Sequence, residues 1–377
     1  VLRWPAGLDA ETFMREHWQR RPLLMRGALR GWRAPLAPRA LKQLALRAEV
    51  EARIVTRRGG RWRVVHAPFA GAALAALERP HSTLLVQGVD LLSDAAAALL
   101  DCVRFLPRAR LDDLMVSYAR DGGGVGPHVD SYDVFLVQGS GRRRWRIAER
   151  YDPAEVDGAP LRLLARFVPE REYLLDAGDI LYLPPGVAHD GIAVGDCTTW
   201  SIGFRAPDAT DLAREYVEQA IDAAGLRGLL NDAGRQPTRH PARIDARYLR
   251  DAHRLIAPLA PRRDWLERAL GRMLTEPRPG IGFAAPARPL GPGSFAARLR
   301  SRGVRLDRAT RLLYTAGAVY ANGERLPVPR PLRAVVERLA DDRLLPPGRW
   351  PEPLPRLLYP LYLAGQLRPG EHRSAAR

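Results

Sequence analysis

The sequence predicts an α+β protein: a β sandwich or barrel over residues 1–206, then a helical region, then a small winged-helix-like module. Three observations carry this. Between about residues 50 and 205 the chain is a series of short β-rich runs broken by Gly and Pro. Strands this short and this numerous pack as sandwiches or barrels rather than as βαβ units. From residue 208 the apolar period becomes helical, and from 294 short helices surround a hairpin signature.

The elements follow in order. "LDAETFMREHWQR" (8–20) sets Leu8, Phe13 and Trp18 at helical spacing behind a capping candidate, Asp9. The strand runs are "ARIVTR", "WRVVHA", "STLLVQGV", "DLMVSYA", "DVFLVQG", "RRWRIAE", "EYLLDAGDILYLPPG" and "TTWSIGF". "DATDLAREYVEQAIDAAGL" then puts Leu212, Tyr216, Val217, Ala220 and Ile221 on one side, capped by Asp208 or Thr210. A second helical stretch covers 243–275. Residues 277–293, rich in Pro and Gly, read as a linker. Beyond it, "RLLYTAGAVYANGERLPV" turns at Asn322-Gly323, the strongest short hairpin signal. The expected division is therefore 1–206, 207–276, 277–293 and 294–377.

Composition excludes several classes. An apolar share of 46% over 377 residues describes a globular chain of two or three domains. There is no apolar run long enough to span a bilayer and no signal-peptide core at the N-terminus, so a reducing cytoplasm is the expected compartment. Cys102 and Cys197 are too few for a disulfide framework or a Cys-rich zinc site. The net charge is +17, and Lys42 is the only lysine among 59 basic residues. Such arginine usage fits a coding bias, and equally an affinity for RNA or another polyanion. The charge reads as spread along the chain.

The chemistry lies in "GGGVGPHVDSYDVFLVQGSGRRRWRI" (122–147). On a strand His128 and Asp130 project to one face. An imidazole and a carboxylate suit a divalent first-row metal, and "GDILYLPPGVAHDG" offers the third ligand, His189. Two histidines and one carboxylate form the facial triad that leaves positions open on Fe(II). In "GRRRWRI", Arg143, Trp145 and Ile147 share a face that should be the barrel interior. A guanidinium there demands a carboxylate, which a diacid cosubstrate can bring. Arg142, Arg144 and Arg146 read as an exposed edge. "DGGGVGP" (121–127) lacks the P-loop ending and reads as a flexible turn at the mouth of the site. His17, His66 and His81 read as structural or solvated, and His240, His253 and His372 fall outside the β domain.

At these residues the chain resembles the JmjC-type, cupin-fold ribosomal oxygenases. "FMREHWQRRPLLMRG" is similar to the family's N-terminal segment and "DDLMVSYARDGGGVGPHVDSYDVFLVQGSGRRRWRI" to its metal strand. "GDILYLPPGVAHDGIA" resembles its second-histidine strand, "SIGFRAP" the close of its catalytic domain and "VYANGE" a hairpin of its winged-helix module. The resemblance implies a double-stranded β-helix, the cupin/JmjC jelly roll. It implies Fe(II) at His128, Asp130 and His189, with O2 and 2-oxoglutarate as cosubstrates. The far carboxylate of 2-oxoglutarate would be gripped by Arg143 with help from Ser117. Thr199 stands where family members carry asparagine, and either side chain can hydrogen-bond the cosubstrate. The implied reaction hydroxylates the β-carbon of an arginine in large-subunit ribosomal protein L-sixteen, with a helical region pairing two protomers; the basic charge adds ribosomal RNA as a candidate contact.

An arginine substrate wants a carboxylate and an aromatic wall, for which Asp121, Tyr118, Tyr132 and Asp133 are the candidates. A charge of +17 opposes such a substrate at long range unless the charge lies away from the entrance. Two rival readings stand beside this one. A cupin isomerase or dioxygenase could use the triad without 2-oxoglutarate, but has no need of a buried Arg143. A non-catalytic ribosome- or RNA-associated scaffold leaves the whole set unexplained.

Overall fold

The computed structural model of the chain describes residues 2–205, 207–230, 246–278 and 280–370. It divides into two compact units, Val1–Ala206 and Pro207–Arg377, each with its own apolar core. Among the described residues no helix is long and apolar enough to cross a membrane.

In the first unit the chain runs α1 (Ala10–Glu16), β1 (Leu23–Met25), α2 (Pro38–Leu44), β2 (Ala52–Arg58), β3 (Arg61–His66), α3 (Gly71–Leu77) and β4 (Ser82–Val86). Two helical turns, α4 (Val89–Leu92) and α5 (Asp94–Ala97), lead to β5 (Leu111–Ala119), β6 (His128–Val129) and β7 (Val134–Ala148). Then come β8 (Arg171–Leu175), β9 (Ile180–Leu183) and β10 (Ala188–Phe204). The Asp9 carboxylate caps α1 by accepting from the Thr12 N–H at 2.8 Å. The strands form one antiparallel sheet in the order β1-β9-β7-β10-β5-β4-β2-β3, with β6 added to β10 and β8 to β7.

The single expected run "EYLLDAGDILYLPPG" is two strands, β8 and β9. The expected strands "DVFLVQG" and "RRWRIAE" are one long strand, β7, and β10 extends the expected "TTWSIGF" back to Ala188, because β7 and β10 pair with each other almost throughout. That ladder holds the device that positions the site. Val134 and Leu136 face the inner cluster, while Phe135 and Val137 face the outer core with α1. The register slips at Thr198–Thr199, where the chain of β7 bulges between Gln138 and Ser140. After the bulge the odd residues Trp145 and Ile147 face inward. One extra residue in a strand reverses the parity of everything beyond it. The glycines make the bulge possible. A Cβ on Gly139 would lie 2.4 Å from Thr198 Oγ1, and Gly141 has φ +61° with the Asp196 carbonyl 2.1 Å from where its Cβ would be.

The segment 121–127 turns as expected, and it packs against β10. The Gly123 carbonyl accepts from the Ala193 N–H at 2.9 Å, and a Cβ on Gly124 would sit 2.4 Å from the Gly191 carbonyl on β10. At Gly123 and Gly124 glycine serves close packing, and at Gly122 and Gly126 a positive φ as well.

The second unit contains α6 (Ala209–Ala224), capped by Asp208 and ended by Gly225 at φ 57°, then α7 (Ala246–Ile256) and α8 (Arg263–Thr275). It continues with α9 (Pro292–Arg302), β11 (Val304–Leu306), β12 (Leu312–Tyr314), β13 (Val319–Ala321), β14 (Glu324–Leu326) and α10 (Arg333–Asp342). β15 (Leu344–Leu345), α11 (Pro353–Leu363) and β16 (Leu367–Pro369) complete it. The strands form two three-stranded sheets, β15-β11-β16 and β12-β13-β14, where one hairpin was expected. Strands of two or three residues are too short to show a period. Asn322 and Gly323 turn at φ 50° and 86°, as the dipeptide requires. Helix α8 packs on the second sheet, with Gly271 against the Tyr320 ring. The expected linker ends tied down: the Leu290 N–H donates to the Tyr362 hydroxyl at 3.0 Å, and Tyr359 Oη donates to the Leu290 carbonyl at 2.8 Å.

Candidate metal centre and cosubstrate pocket

His128 and His189 come from paired strands, β6 and β10, directly opposite each other in register. Asp130 follows β6, its carbonyl held by the Gly186 N–H at 2.9 Å, so the Pro-Pro-Gly turn before β10 fixes the third ligand as well. Their donor atoms converge: Asp130 Oδ1 is 3.9 Å from His128 Nε2, and Asp130 Oδ2 is 3.6 Å from His189 Nε2. One ligand atom from each of the three lies within 4.8 Å of the others. Ligand atoms ~2 Å from a common ion stand about 3 to 4 Å apart, so these residues fit a divalent metal. Each ring is oriented from behind, His128 Nδ1 on the Gly126 carbonyl and His189 Nδ1 on the Val187 carbonyl, both at 2.9 Å. Those bonds leave Nε2 of both rings for the metal. Burial, and then the neighbouring His128, push the His189 pKa down, which keeps its imidazole neutral as a ligand must be.

Arg143 lies inside, 5% exposed, as the alternation with Trp145 and Ile147 predicts. Its Nη1 donates to Ser117 Oγ at a long 3.4 Å, while Nε and Nη2 have no partner among the described residues. The Trp145 ring lies 5.7 Å from Cζ. A buried guanidinium with two open N–H groups costs several kcal/mol as it stands, and it fits a carboxylate. Ser117 and Thr199 face each other across β5 and β10. Thr199 Oγ1 donates to Gln138 Oε1 at 3.4 Å, and Gln138, fully buried, uses its amide N–H on the Ser140 and Gly141 carbonyls. Gln138 was not anticipated from the sequence. Its one signal is its place just before the glycine bulge, which only the register reveals.

The four expected substrate residues separate. Tyr132 is 40% exposed and hydrogen-bonds Asp130; burial of its hydroxyl, then the Asp130 charge, push its pKa up, so it stays a phenol. Asp121 accepts from the Gly195 N–H at 2.7 Å, six residues along β10 from His189. Asp133 is a correction: it is fully buried, accepting from Tyr182 Oη at 2.6 Å and Gln19 Nε2 at 3.1 Å, with Arg110 3.7 Å away. Tyr118 is another, 5% exposed in the outer core, its ring under Lys42 and its hydroxyl on Asp196. Strand parity explains it, since Ser117 takes the inner face and Tyr118 the outer. Arg146 is not simply an exposed edge either: it pairs with buried Asp190 and lies over the Phe167 ring. Both line a cavity of about 270 Å3 with Gly124, Gly126, Pro127 and Trp62. Of the other histidines, His81 Nδ1 meets the Gly122 carbonyl at 3.2 Å, and His240 and His372 lie outside the described residues.

A curled antiparallel sheet carrying His-x-Asp and a distal His on adjacent strands, with a buried arginine inside, defines the JmjC class of cupin-fold proteins. A JmjC domain model matches residues 98–212 and a ROXA-like winged-helix model matches residues 252–368. The chain is 33% identical to the ribosomal protein uL16 3-hydroxylase of Escherichia coli K12 over 345 residues, 91% of this chain and 90% of that protein. It is 37% identical to a probable ribosomal oxygenase of Haemophilus influenzae over 213 residues, 55% of this chain and 52% of that one. The structure of E. coli YcfD superposes with a TM-score of 0.86 at 30% identity, covering 96% of this chain and 98% of the other. YcfD in complex with cobalt and 2-oxoglutarate superposes at 0.82 with 31% identity and the same coverage. The chain belongs to the JmjC ribosomal-oxygenase family.

Proposed function

We propose that the chain is an Fe(II)- and 2-oxoglutarate-dependent dioxygenase that hydroxylates the β-carbon of an arginine in ribosomal protein uL16, the large-subunit protein L-sixteen. The observation that carries this is the open, buried Arg143 guanidinium in the same barrel as the three converging ligands. A cupin enzyme without 2-oxoglutarate has no use for that charge, and a scaffold has no use for either feature. The substrate follows from the E. coli relative, matched over nine-tenths of both chains.

Iron with 2-oxoglutarate and O2 supplies the power to oxidise an unactivated C–H bond. The chain's own residues bind and orient. His128, Asp130 and His189 would hold the iron through two Nε2 atoms and a carboxylate. The Nε–H and Nη2–H of Arg143 would take the far carboxylate of 2-oxoglutarate, with the Ser117 hydroxyl beside it. Thr199 spends its proton on Gln138, so toward the cosubstrate it acts as an acceptor or a wall. Trp145 and the aliphatic residues around it keep water out. Tyr132 beside Asp130 is the aromatic group placed to meet the substrate arginine. We place the reaction in the cytoplasm and assign the helices from 207 to 276 to pairing of protomers, since α6 and α7 leave Val217, Ile221, Leu249 and Ile256 exposed.

The test is incubation with Fe(II), 2-oxoglutarate and a uL16 fragment, followed by mass spectrometry of the fragment. One added oxygen on one arginine, lost in His128→Ala, is the expected result. Turnover of 2-oxoglutarate without an added oxygen would keep the oxygenase and remove the substrate.

A further inference from the structure

The bulge that sets the parity of β7 is fastened by side chains. A bulge takes backbone groups out of the ladder, and buried carbonyls then need other donors. Trp32 Nε1 donates to the Gly139 carbonyl at 2.7 Å. The Trp32 ring packs on Trp200 of the outer core, centroids 6.5 Å apart, so this fastening comes from outside. From the inside, Gln138 Nε2 donates to the Ser140 carbonyl at 3.0 Å and to the Gly141 carbonyl at 3.4 Å. The Gln138 backbone is itself fixed: its N–H donates to the Asp179 carbonyl and its carbonyl accepts from the Gly178 N–H, both at 2.9 Å. The Asp179 carboxylate in turn accepts from the Gly27 N–H at 2.8 Å and pairs with Arg26 at 2.6 Å.

The direction of these bonds is forced. Carbonyls only accept, so the NH2 of Gln138 must face them and its Oε1 must face Thr199. The Thr199 hydroxyl then donates to Oε1, at 3.4 Å. Thr199 stands directly opposite Ser117, and Ser117 Oγ accepts from Arg143 Nη1 at 3.4 Å. Gln138, fully buried, is therefore at one end of an inner row that has Arg143 at the other. Leucine or methionine would fill the same space. Only a side chain with both donors and an acceptor serves two carbonyls and a hydroxyl at once.

We propose that Gln138 is the positioning residue of the cosubstrate pocket. Its NH2 locks the bulge in the register that turns Arg143 inward, and its Oε1 fixes the Thr199 hydroxyl in the same row. Gln138 thereby sets selectivity for a 2-oxo acid with a far carboxylate, acting through Arg143 rather than through the metal ligands. The inference rests on the 2-oxoglutarate reading above.

The experiment compares two ligands on the full chain loaded with Mn(II) in the absence of O2, by isothermal titration calorimetry. One is 2-oxoglutarate; the other is 2-oxopentanoate, with a methyl group in place of the far carboxylate. Gln138→Met keeps the size and loses every side-chain bond. It should weaken 2-oxoglutarate at least about tenfold and leave 2-oxopentanoate unchanged. Gln138→Asn, an amide one methylene too short to span both ends, should show the same selective loss at smaller size, and it serves if the Met variant does not fold. Equal weakening of both ligands means general damage to the core and overturns the proposal, as does no weakening of either. A second measurement needs no ligand. Arg143→Met should raise the urea midpoint of the metal-free chain, since it removes a buried charge. In the Gln138→Met or Gln138→Asn chain, where Arg143 is no longer held inside, the rise should be less than about half as large. Equal rises overturn the proposal. If the unaltered chain binds neither oxo acid, the cosubstrate reading falls, and the urea comparison still decides the role of Gln138.

Discussion

Arg143 combines two properties that normally conflict. It is buried and it has two donor groups without partners among the described residues, so without cosubstrate it weakens the fold that holds it. Arg143→Met should therefore raise the stability of the metal-free, cosubstrate-free protein by about 2 kcal/mol, read from urea midpoints. The same substitution should raise KM for 2-oxoglutarate roughly a hundredfold, because the far carboxylate loses a charge-assisted pair. A drop in stability without cosubstrate would mean that Arg143 is satisfied by the protein. Cys102 illustrates burial acting on a thiol: desolvation pushes its pKa up to about 12. A raised thiol pKa contributes stability that is whole below the ordinary value of 9.0 and is lost as pH rises toward 12. Folded protein at pH 8 should leave Cys102 unmodified by iodoacetamide, while alkaline titration should lower the unfolding midpoint over that window.

At the scale of elements, the bulge in β7 decides the function of the residues beyond it. Val134 and Leu136 face inward before it, and Arg143, Trp145 and Ile147 after it, so an even series becomes an odd one. Gly141→Ala puts a Cβ at a left-handed position and 2.1 Å from the Asp196 carbonyl. The cost should be at least about 2 kcal/mol. Loss of 2-oxoglutarate binding should exceed what that destabilisation explains, because relief of the clash shifts the register that points Arg143 inward. A variant with weakened stability but normal cosubstrate affinity would separate the bulge from the pocket. The rigid ligand geometry has a similar origin: β6 has only two residues, yet its pairing with β10 puts His128 and His189 opposite each other.

At the scale of the molecule, two units with separate cores divide the work. Residues 1–206 hold 29 basic and 24 acidic side chains and 207–377 hold 30 and 18, so the net charge divides into +5 and +12. The nearly balanced unit carries the ligands and Arg143, and the strongly basic one carries the winged-helix sheets. Exposed Val217 and Ile221, one turn apart on α6, are the apolar stripe assigned to protomer pairing. V217E/I221E should halve the mass seen by light scattering at micromolar concentration, since a charge on each helix face must be desolvated to pair. An unchanged mass would move the pairing surface elsewhere.

Strand alternation was enough to set His128 beside Asp130 and to turn Arg143 inward, and the position just past the Pro-Pro-Gly turn offered His189, because period-two geometry and ligand chemistry are local. The Asp9 and Asp208 caps and the Asn322-Gly323 turn were legible for the same reason: each depends on neighbours a few residues away. What lay beyond such reach was decided by strands meeting. Asp133 and Tyr118 look like mouth residues in the sequence, but pairing turns one into the fully buried acceptor of Tyr182 and the other toward the outer core. Gln138 and Asp190 look unremarkable in sequence, and register puts the first beneath Thr199 and the second against Arg146. Sequence determined which chemistry the chain can perform, since that depends on residue types at short spacing. Tertiary structure decided which face each residue serves, because a one-residue bulge or a long-range pairing reverses a side chain's direction without changing a letter.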